Sequence, residues 1–346
     1  MIEENDLALL IGVGSIGRKH LLVLLEKFSK VIVVDPNPNA IYEFKTLESF
    51  ERIVHFLDID NLVMEKEIEL AVIANWGPDH FRTLCSLVSK GIKNYIVEKP
   101  LADSFAELAA IELLRKNNDL RIIVNFNYKF STIKDVLFNL VKNFDIGEPK
   151  AIVVFGGAKC VATVGVHYLA LANLIFDDKP KKVSSNLKSK PINPRNIDFK
   201  YYEGCANWEY PNDRYLSINF FNSSQVSLRY EILFQRAVIE YSGGTIQIKA
   251  VSDADQEKLS KPNLTSVPTK LLVLESESDL LGRKNEMEKL YSKIMSGSDL
   301  KLEFEFDMGV SWNLLAALQS NYSNQNLKLP FESLKELDYE HKWMIS

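Results

Sequence analysis

Apolar positions in the first 126 residues fall into two alternating kinds of run. Short continuous ones have the length and content of strands buried on both faces. They are Leu7–Ile11 (LALLI), the VIVVD ending at Asp35, Leu70–Asn75 (LAVIAN), the YIVEK ending at Lys99, and Arg121–Phe126 (RIIVNF). Between them, RKHLLVLLEKF carries leucines at helical spacing, and PDHFRTLCSLVSK reads as a helix that Gly91 closes in a left-handed cap. Ser104 and Glu107 form the S-x-x-E of a capping box and open another helix. Strand alternating with helix predicts a parallel sheet with helices on its faces.

From about residue 130 the pattern changes. A helix, STIKDVLFNLVKNF, leads to a strand, AIVVFGG, and then to VATVGVHYLALANLIF. KVSSNL, YLSINFF, QVSLRYEILF, AVIEYS and TIQIKAV follow closely, alternating apolar and polar residues with Gly, Asn, Ser and Asp between them. That pattern predicts a largely antiparallel open sheet, with Gly243-Gly244 as a tight hairpin turn. SDADQEKLSKPNLTSVPTK reads as a surface excursion, and NEMEKLYSKIM and GVSWNLLAALQSNY as two closing helices. The chain is therefore expected to be α/β, with two domains at residues 1–125 and 126–346, as its 346 residues also suggest.

Composition narrows the class. The chain is 46% hydrophobic and 25% charged, with a net charge of −5 and both signs interleaved, so no nucleic-acid surface is expected. The opening MIEENDLALL is acidic where a secretory signal is basic, and no apolar run approaches about eighteen residues, so no membrane partner is expected. Cys85, Cys160 and Cys205 are too scattered for a disulfide framework or a zinc site; no metal is expected, and the cytoplasm is the expected compartment.

Candidate chemistry begins at Gly12-x-Gly14-x-x-Gly17, set between a strand and a helix. There the glycines permit a tight turn, close approach of a pyrophosphate and close helix packing, with Ser15 and Ile16 at the anion-binding helix N-terminus. Asp35 ends the next strand, where a carboxylate binds the adenosine ribose; Asp35-Pro36 also reads as a strand-ending turn. An acid there repels a 2′-phosphate and no arginine follows it closely, which favours NAD over NADP. The motif in this setting predicts a Rossmann domain. Asn75, Trp76 and His80 follow one later strand and Glu98 and Lys99 end another, so both segments should face the cofactor. His80 reads as a first-turn helix residue rather than a base. Lys99 is either a surface lysine or a group that polarises a substrate oxygen. His167, on an apolar helix, reads by itself as a hydrogen-bonded core histidine.

The segments GVGSIGRKH, ANWGPDHF, GIKNYIVEKPLADSFAEL, VNFNYKF, GVHYLALANLIF, EYSGGTIQIK and SWNLLAALQSNYSNQNLKLPF resemble, in order and over nearly the whole chain, the glucose–fructose oxidoreductase, inositol dehydrogenase and rhizopine catabolism (Gfo/Idh/MocA) family. The resemblance implies NAD(P)-dependent oxidation or reduction of a sugar, cyclitol or related polyol. It makes Lys99 a catalytic, substrate-binding group and His167 the residue that exchanges a proton with the substrate hydroxyl. It implies a second domain, with Tyr128 and Thr163 beside the substrate, whose sheet carries a homodimer or homotetramer contact. The chain also departs from the family. Thr163 and Ala170 stand where aspartates are common, and Lys129 where an arginine is, so His167 lacks its usual carboxylate neighbour. Tyr128, Tyr168 or a water are other routes for the proton. Lys159, Arg195, Arg214 and Arg236 could meet an acidic sugar or lie as surface charges. An NAD-dependent glycosidase and a catalytically impaired sensor or subunit remain alternatives.

Overall fold

The computed structural model describes residues 6–62, 66–190, 200–251, 268–276, 285–330 and 338–345. They form two compact units, each built on one sheet.

The first unit carries six parallel strands: β1 (Leu7–Ile11), β2 (Lys30–Val34), β3 (Ile53–Phe56), β4 (Leu70–Ile73), β5 (Asn94–Val97) and β6 (Arg121–Val124). Their order is β3-β2-β1-β4-β5-β6, which puts the C-terminal ends of β1, β4 and β5 side by side. All five residues of β1 are buried, as an apolar strand covered on both faces must be. Helices α1 (Ser15–Lys27), α2 (His80–Ser89) and α3 (Phe105–Asn118) connect the strands. α2 ends as foreseen at Gly91, whose φ of 88° places it in the left-handed region. α3 starts with Ser104 Oγ accepting the Glu107 N–H at 3.2 Å. The Glu107 carboxylate reaches one residue further back, to the Asp103 N–H at 2.9 Å. β3 was not legible: IVHF is a half-buried edge strand without a continuous apolar run.

A single division between residues 125 and 126 does not describe the chain. Unit one takes Met1–Phe126 and later takes back Met287–Trp312 and Tyr339–Ser346. Helix α6 (Glu286–Met295) and the first half of α7 (Lys301–Ser323) supply the returning pieces. The Asp307 carboxylate accepts the Val124 N–H at 2.8 Å, and Trp312 stacks on Phe105 at 5.0 Å.

Unit two holds Asn127–Glu286 and Asn313–Asp338. It contains α4 (Ile133–Phe144), β7 (Pro149–Gly157), a π-helical turn at Val161–Gly165 and α5 (Val166–Phe176). Strands β8 (Lys182–Lys190), β9 (Tyr201–Tyr210), β10 (Arg214–Phe221), β11 (Arg229–Phe234), β12 (Ala237–Ser242), β13 (Thr245–Val251), β14 (Thr269–Ser276) and β15 (Leu327–Lys328) follow. The sheet order is β14-β13-β12-β11-β7-β10-β9-β8-β15, antiparallel except where β10 runs parallel to β7. Gly243 and Gly244, at φ 59° and 84°, make the expected hairpin turn. β9 escaped the sequence pattern because Gly204 interrupts its alternation. At φ 128° it lets the backbone meet Asn186 of β8, where a Cβ would collide with the Asn186 oxygen. Of the expected surface excursion, residues 252–267 lie outside the described residues, and its last two, Thr269 and Lys270, open β14.

Near the chain end, the buried Trp343 and Ile345 pack on unit one. The Asp103 carboxylate accepts the N–H groups of Met344 and Ile345 at 2.7 and 2.8 Å. Burial pushes the Asp103 carboxyl up to about 7 against the pull of those two donors; Glu107 adds to the rise and Lys342 opposes it. A carboxyl raised in the fold contributes stability below its ordinary pKa and loses it as pH climbs through the raised value. The stability of this unit should therefore fall between about pH 4 and 7 by on the order of 2–4 kcal/mol. Urea midpoints across that range should show a slope that Asp103→Asn, neutral throughout, lacks; an equal slope in the variant would refute the assignment.

Candidate active site

The glycine loop runs from the end of β1 into α1. Gly12 has φ 88°, donates its N–H to Val34 O at 2.8 Å, and approaches the next strand so closely that a Cβ would lie 2.7 Å from Asn75 N. A Cβ on Gly17 would collide with the Gly12 carbonyl oxygen. A Cβ on Gly14 would meet nothing within 4 Å, so the space in front of the helix N-terminus is open. No acidic residue stands in the first turn of α1, where Ser15 and Ile16 begin the helix. An open helix N-terminus of this kind fits a pyrophosphate. Asp35 is half-buried beside it, accepting the Val13 N–H at 2.7 Å on one oxygen and the Asn37 N–H at 2.9 Å on the other. Each oxygen keeps acceptor capacity for ribose hydroxyls.

Two further segments reach the same edge of the sheet from the ends of β4 and β5. After β4, Trp76 is 49% exposed, and Asn75 donates to Thr83 Oγ1 at 2.9 Å. Asn75 Oδ1 is buried with no hydrogen-bond partner among the described residues, as suits an acceptor that a ligand completes. Lys99, after β5, is half-buried and joined to Pro100 by a cis peptide.

His80 and Glu98, expected to face the cofactor, have other tasks. The buried His80 ring lies between Pro100 O at 2.7 Å and Asn75 O at 3.1 Å. Burial lowers its pKa, against the two carbonyls and Glu98, and a neutral ring donates to one of those carbonyls only. The buried Glu98 carboxylate accepts from Asn125 Nδ2 at 2.7 Å and faces His20 Nε2 at 3.0 Å, while His20 Nδ1 meets the Tyr291 hydroxyl at 2.8 Å. Burial pushes the Glu98 carboxyl up, but His20, Asn125 and the neighbouring Lys99 outweigh it and hold the group down at about 2. His20 thus stands between the Glu98 carboxylate and the Tyr291 hydroxyl. Sequence reading gave His20 no role. Its signal was a histidine three residues past Gly17, on the inward face of α1.

In unit two, His167 is the second residue of α5 and half-buried. Its Nδ1 faces the Asn127 N–H at 3.4 Å, a long contact. Tyr128 and Tyr168, both buried, bring their hydroxyls within 3.5 Å of each other. Thr163 lies in the π-helical turn before α5, and Ala170 is fully buried, so neither family carboxylate position supplies an acid. Arg214 is held by Phe176 O and Asp178, and Arg236 by Asp145, which makes both of them loop braces. Arg195 lies outside the described residues.

Comparison with known proteins agrees with this geometry. Residues 7–126 match the Gfo/Idh/MocA model, described as an oxidoreductase family with an NAD-binding Rossmann fold. No curated protein sequence matches. Among solved structures, an NAD-binding protein from Listeria innocua is similar at TM-score 0.73 and 14% identity, covering 97% of this chain and 99% of that one. A putative myo-inositol dehydrogenase from Sinorhizobium meliloti 1021 gives TM-score 0.67 at 14% identity, over 94% and 100% of the two chains. A super-repressor mutant of Gal80p from Saccharomyces cerevisiae gives 0.69 at 12%, over 94% and 98%. At such identities the structural likeness establishes the fold.

The buried carboxylate yields a direct test. His20→Ala strands Glu98 with one donor fewer and should cost about 2–4 kcal/mol at neutral pH, read by urea denaturation. Because Glu98 is held below its ordinary value, its contribution is present above about pH 4.5 and lost as pH falls towards 2. Glu98→Gln should flatten that acid limb, and the double variant should lose less than the sum of the two. Full additivity would show that the two groups do not interact.

Proposed function

We propose, from the premise that the chain belongs through residues 7–126 to the Gfo/Idh/MocA oxidoreductase family, that it is an NAD-dependent enzyme acting on a hydroxyl carbon of a sugar, cyclitol or sugar derivative. One observation carries the reading. The adjacent C-terminal ends of β1, β4 and β5 present the glycine loop, Asn75 and Lys99 along one edge of the first sheet. Ligands of open parallel sheets bind there.

Bound NAD supplies the hydride acceptor or donor. Gly12, Gly14, Ser15, Ile16 and Gly17 hold its pyrophosphate, Asp35 the adenosine ribose, and Asn75 and Trp76 the segment beyond. Lys99 binds the reacting substrate oxygen, its ammonium stabilising negative charge there. Glu98, ionised and buried next to it in sequence, keeps the local charge balanced. His167 accepts the hydroxyl proton in oxidation and returns it in reduction. Tyr128 and Thr163 are assigned to the substrate. A second reading, a cofactor-binding sensor or subunit, draws support from the missing carboxylates at Thr163 and Ala170. Release of NADH on a panel of sugars and cyclitols separates the two: a sensor binds nicotinamide and turns over none of them.

We also assign a second copy of the chain to the exposed face of the nine-stranded sheet. Trp208, Leu216 and Ile218 are buried on one face, under the elements that include α7. On the other, Tyr215, Ala151 and Leu233 lie in register across β10, β7 and β11, with Tyr215 and Leu233 about half exposed. An apolar row in that position suits an isologous contact. The three free cysteines suit a reducing compartment, and we assign the protein to the cytoplasm.

His167→Ala should lower turnover by about 10²–10⁴-fold with NAD affinity retained. Lys99→Ala should lower kcat and raise KM together, since the charge meets the oxygen before and during reaction. If both act on one atom, the double variant loses far less than the product of the single losses. A His167→Ala variant with full activity and a lowered Tm would make the residue purely structural. For the assembly, light scattering at micromolar concentration should give a dimer or tetramer, and a monomer would rule it out.

A further inference from the structure

Asp35, with no arginine following it closely in sequence, favours NAD over NADP. In the fold an arginine that precedes Asp35 in sequence reaches the same glycine-loop residue that Asp35 holds. Arg18, in the first turn of α1, donates from Nε to Val13 O at 3.3 Å, while Val13 N–H donates to Asp35 at 2.7 Å. The two side chains thus hold the two polar groups of one glycine-loop residue. The other Asp35 oxygen roots the loop after β2. It takes the Asn37 N–H at 2.9 Å, Asn37 Oδ1 takes the Asn39 N–H at 3.0 Å, and Asn39 O takes the Tyr42 N–H at 3.0 Å. This ladder delivers Glu43 to Arg18. The carboxylate meets the guanidinium at two points, Nη1 to Oε2 and Nε to Oε1, each at 3.0 Å. With Asn39, Ala40 and Tyr42 the pair walls an open pocket of about 400 Å3, where Arg18 is the one cation among the lining residues.

We propose that Glu43 determines the cofactor preference by occupying Arg18, the group that would otherwise receive a 2′-phosphate. This rests on the reading that the glycine loop and Asp35 hold the dinucleotide. A 2′-phosphate carries roughly −1.5 to −2 charges. It would meet the Glu43 carboxylate in the pocket, with Asp35 on the adjoining glycine loop, and a guanidinium whose Nε and Nη1 are already engaged. With Glu43 neutral, one carboxylate is removed and the two Nη groups of Arg18 are open to two-point phosphate binding. The pair is about half exposed on both sides, 50% and 47%, so it contributes little to stability and its loss should leave the fold intact.

The test titrates the intact protein with NADH and NADPH at low ionic strength, following nicotinamide fluorescence. The natural protein should bind NADH more tightly. Glu43→Gln should tighten NADPH about tenfold, the scale of one charge-assisted contact, and leave NADH within about twofold. Adding Arg18→Ala should abolish that gain, and Arg18→Ala alone should leave NADPH as weak as before. The proposal is overturned if Glu43→Gln leaves NADPH unchanged. It is equally overturned if the gain survives without Arg18, since removal of a negative charge would then explain it, or if the natural protein binds the two cofactors equally. Failure of the natural protein to bind either would instead remove the reading of the glycine loop, and this inference with it.

Discussion

A carboxylate kept ionised in the interior organises the first unit. Glu98 follows β5, and its charge has no solvent to answer it, so protein donors must. They come from three distant places: His20 on α1, Asn125 after β6, and Tyr291 on α6 through His20. Each donor fixes the element that carries it. The requirement explains why a helix from residues 286–295 returns to the first unit, and why the segment bearing Lys99 has a rigid back. Glu98 anchors from the inside the main chain that carries Lys99. His80, whose ring lies between Pro100 O and Asn75 O and donates to one of them, packs against the same segment.

The parallel sheet was legible because its signal is local. Continuous apolar runs such as LALLI and RIIV are strands in any context that buries both faces. β3 and β9 were not, for separate reasons. IVHF at the sheet edge is only half-buried and needs no apolar continuity. YYEGCANWEY is broken by a glycine whose purpose, close approach to β8, exists only once β8 is beside it. The division of the chain was hidden for a third reason. Periodicity says that NEMEKLYSKIM and GVSWNLLAALQSNY are helical but not which sheet they cover, since that depends on partners such as Asp307 for Val124 and Trp312 for Phe105.

The candidate site divides in the same way. The glycine loop could be read from spacing, because the constraints on Gly12 and Gly17 act within a few residues and across one strand. Resemblance supplied Lys99 and His167, which spacing alone left ambiguous. His20, Glu43 and the tasks of His80 and Glu98 required the fold, since each acts through a residue twenty or more positions away. Asp35 shows the limit of linear reading. It is assigned from its place after β2, yet it shares Val13 with Arg18, which in turn pairs with Glu43, one before it and one after.

Glu98 with His20, and Arg18 with Glu43, are the same device at opposite depths. Both pair a charge on one segment with a group brought from another. The first is dry: its side chains are 0% and 6% exposed, so removing one partner strands the other in a medium that cannot solvate it. The second is wet, and water replaces whichever partner leaves. The consequence for the protein is a separation of roles. The segment that carries Lys99 is bound, through Glu98, into the stability of the first unit and resists change. The group that distinguishes one dinucleotide from the other sits where a single substitution alters charge without disturbing the core. On the proposed reading, the surroundings of Lys99 are fixed by burial and cofactor choice is left adjustable at the surface.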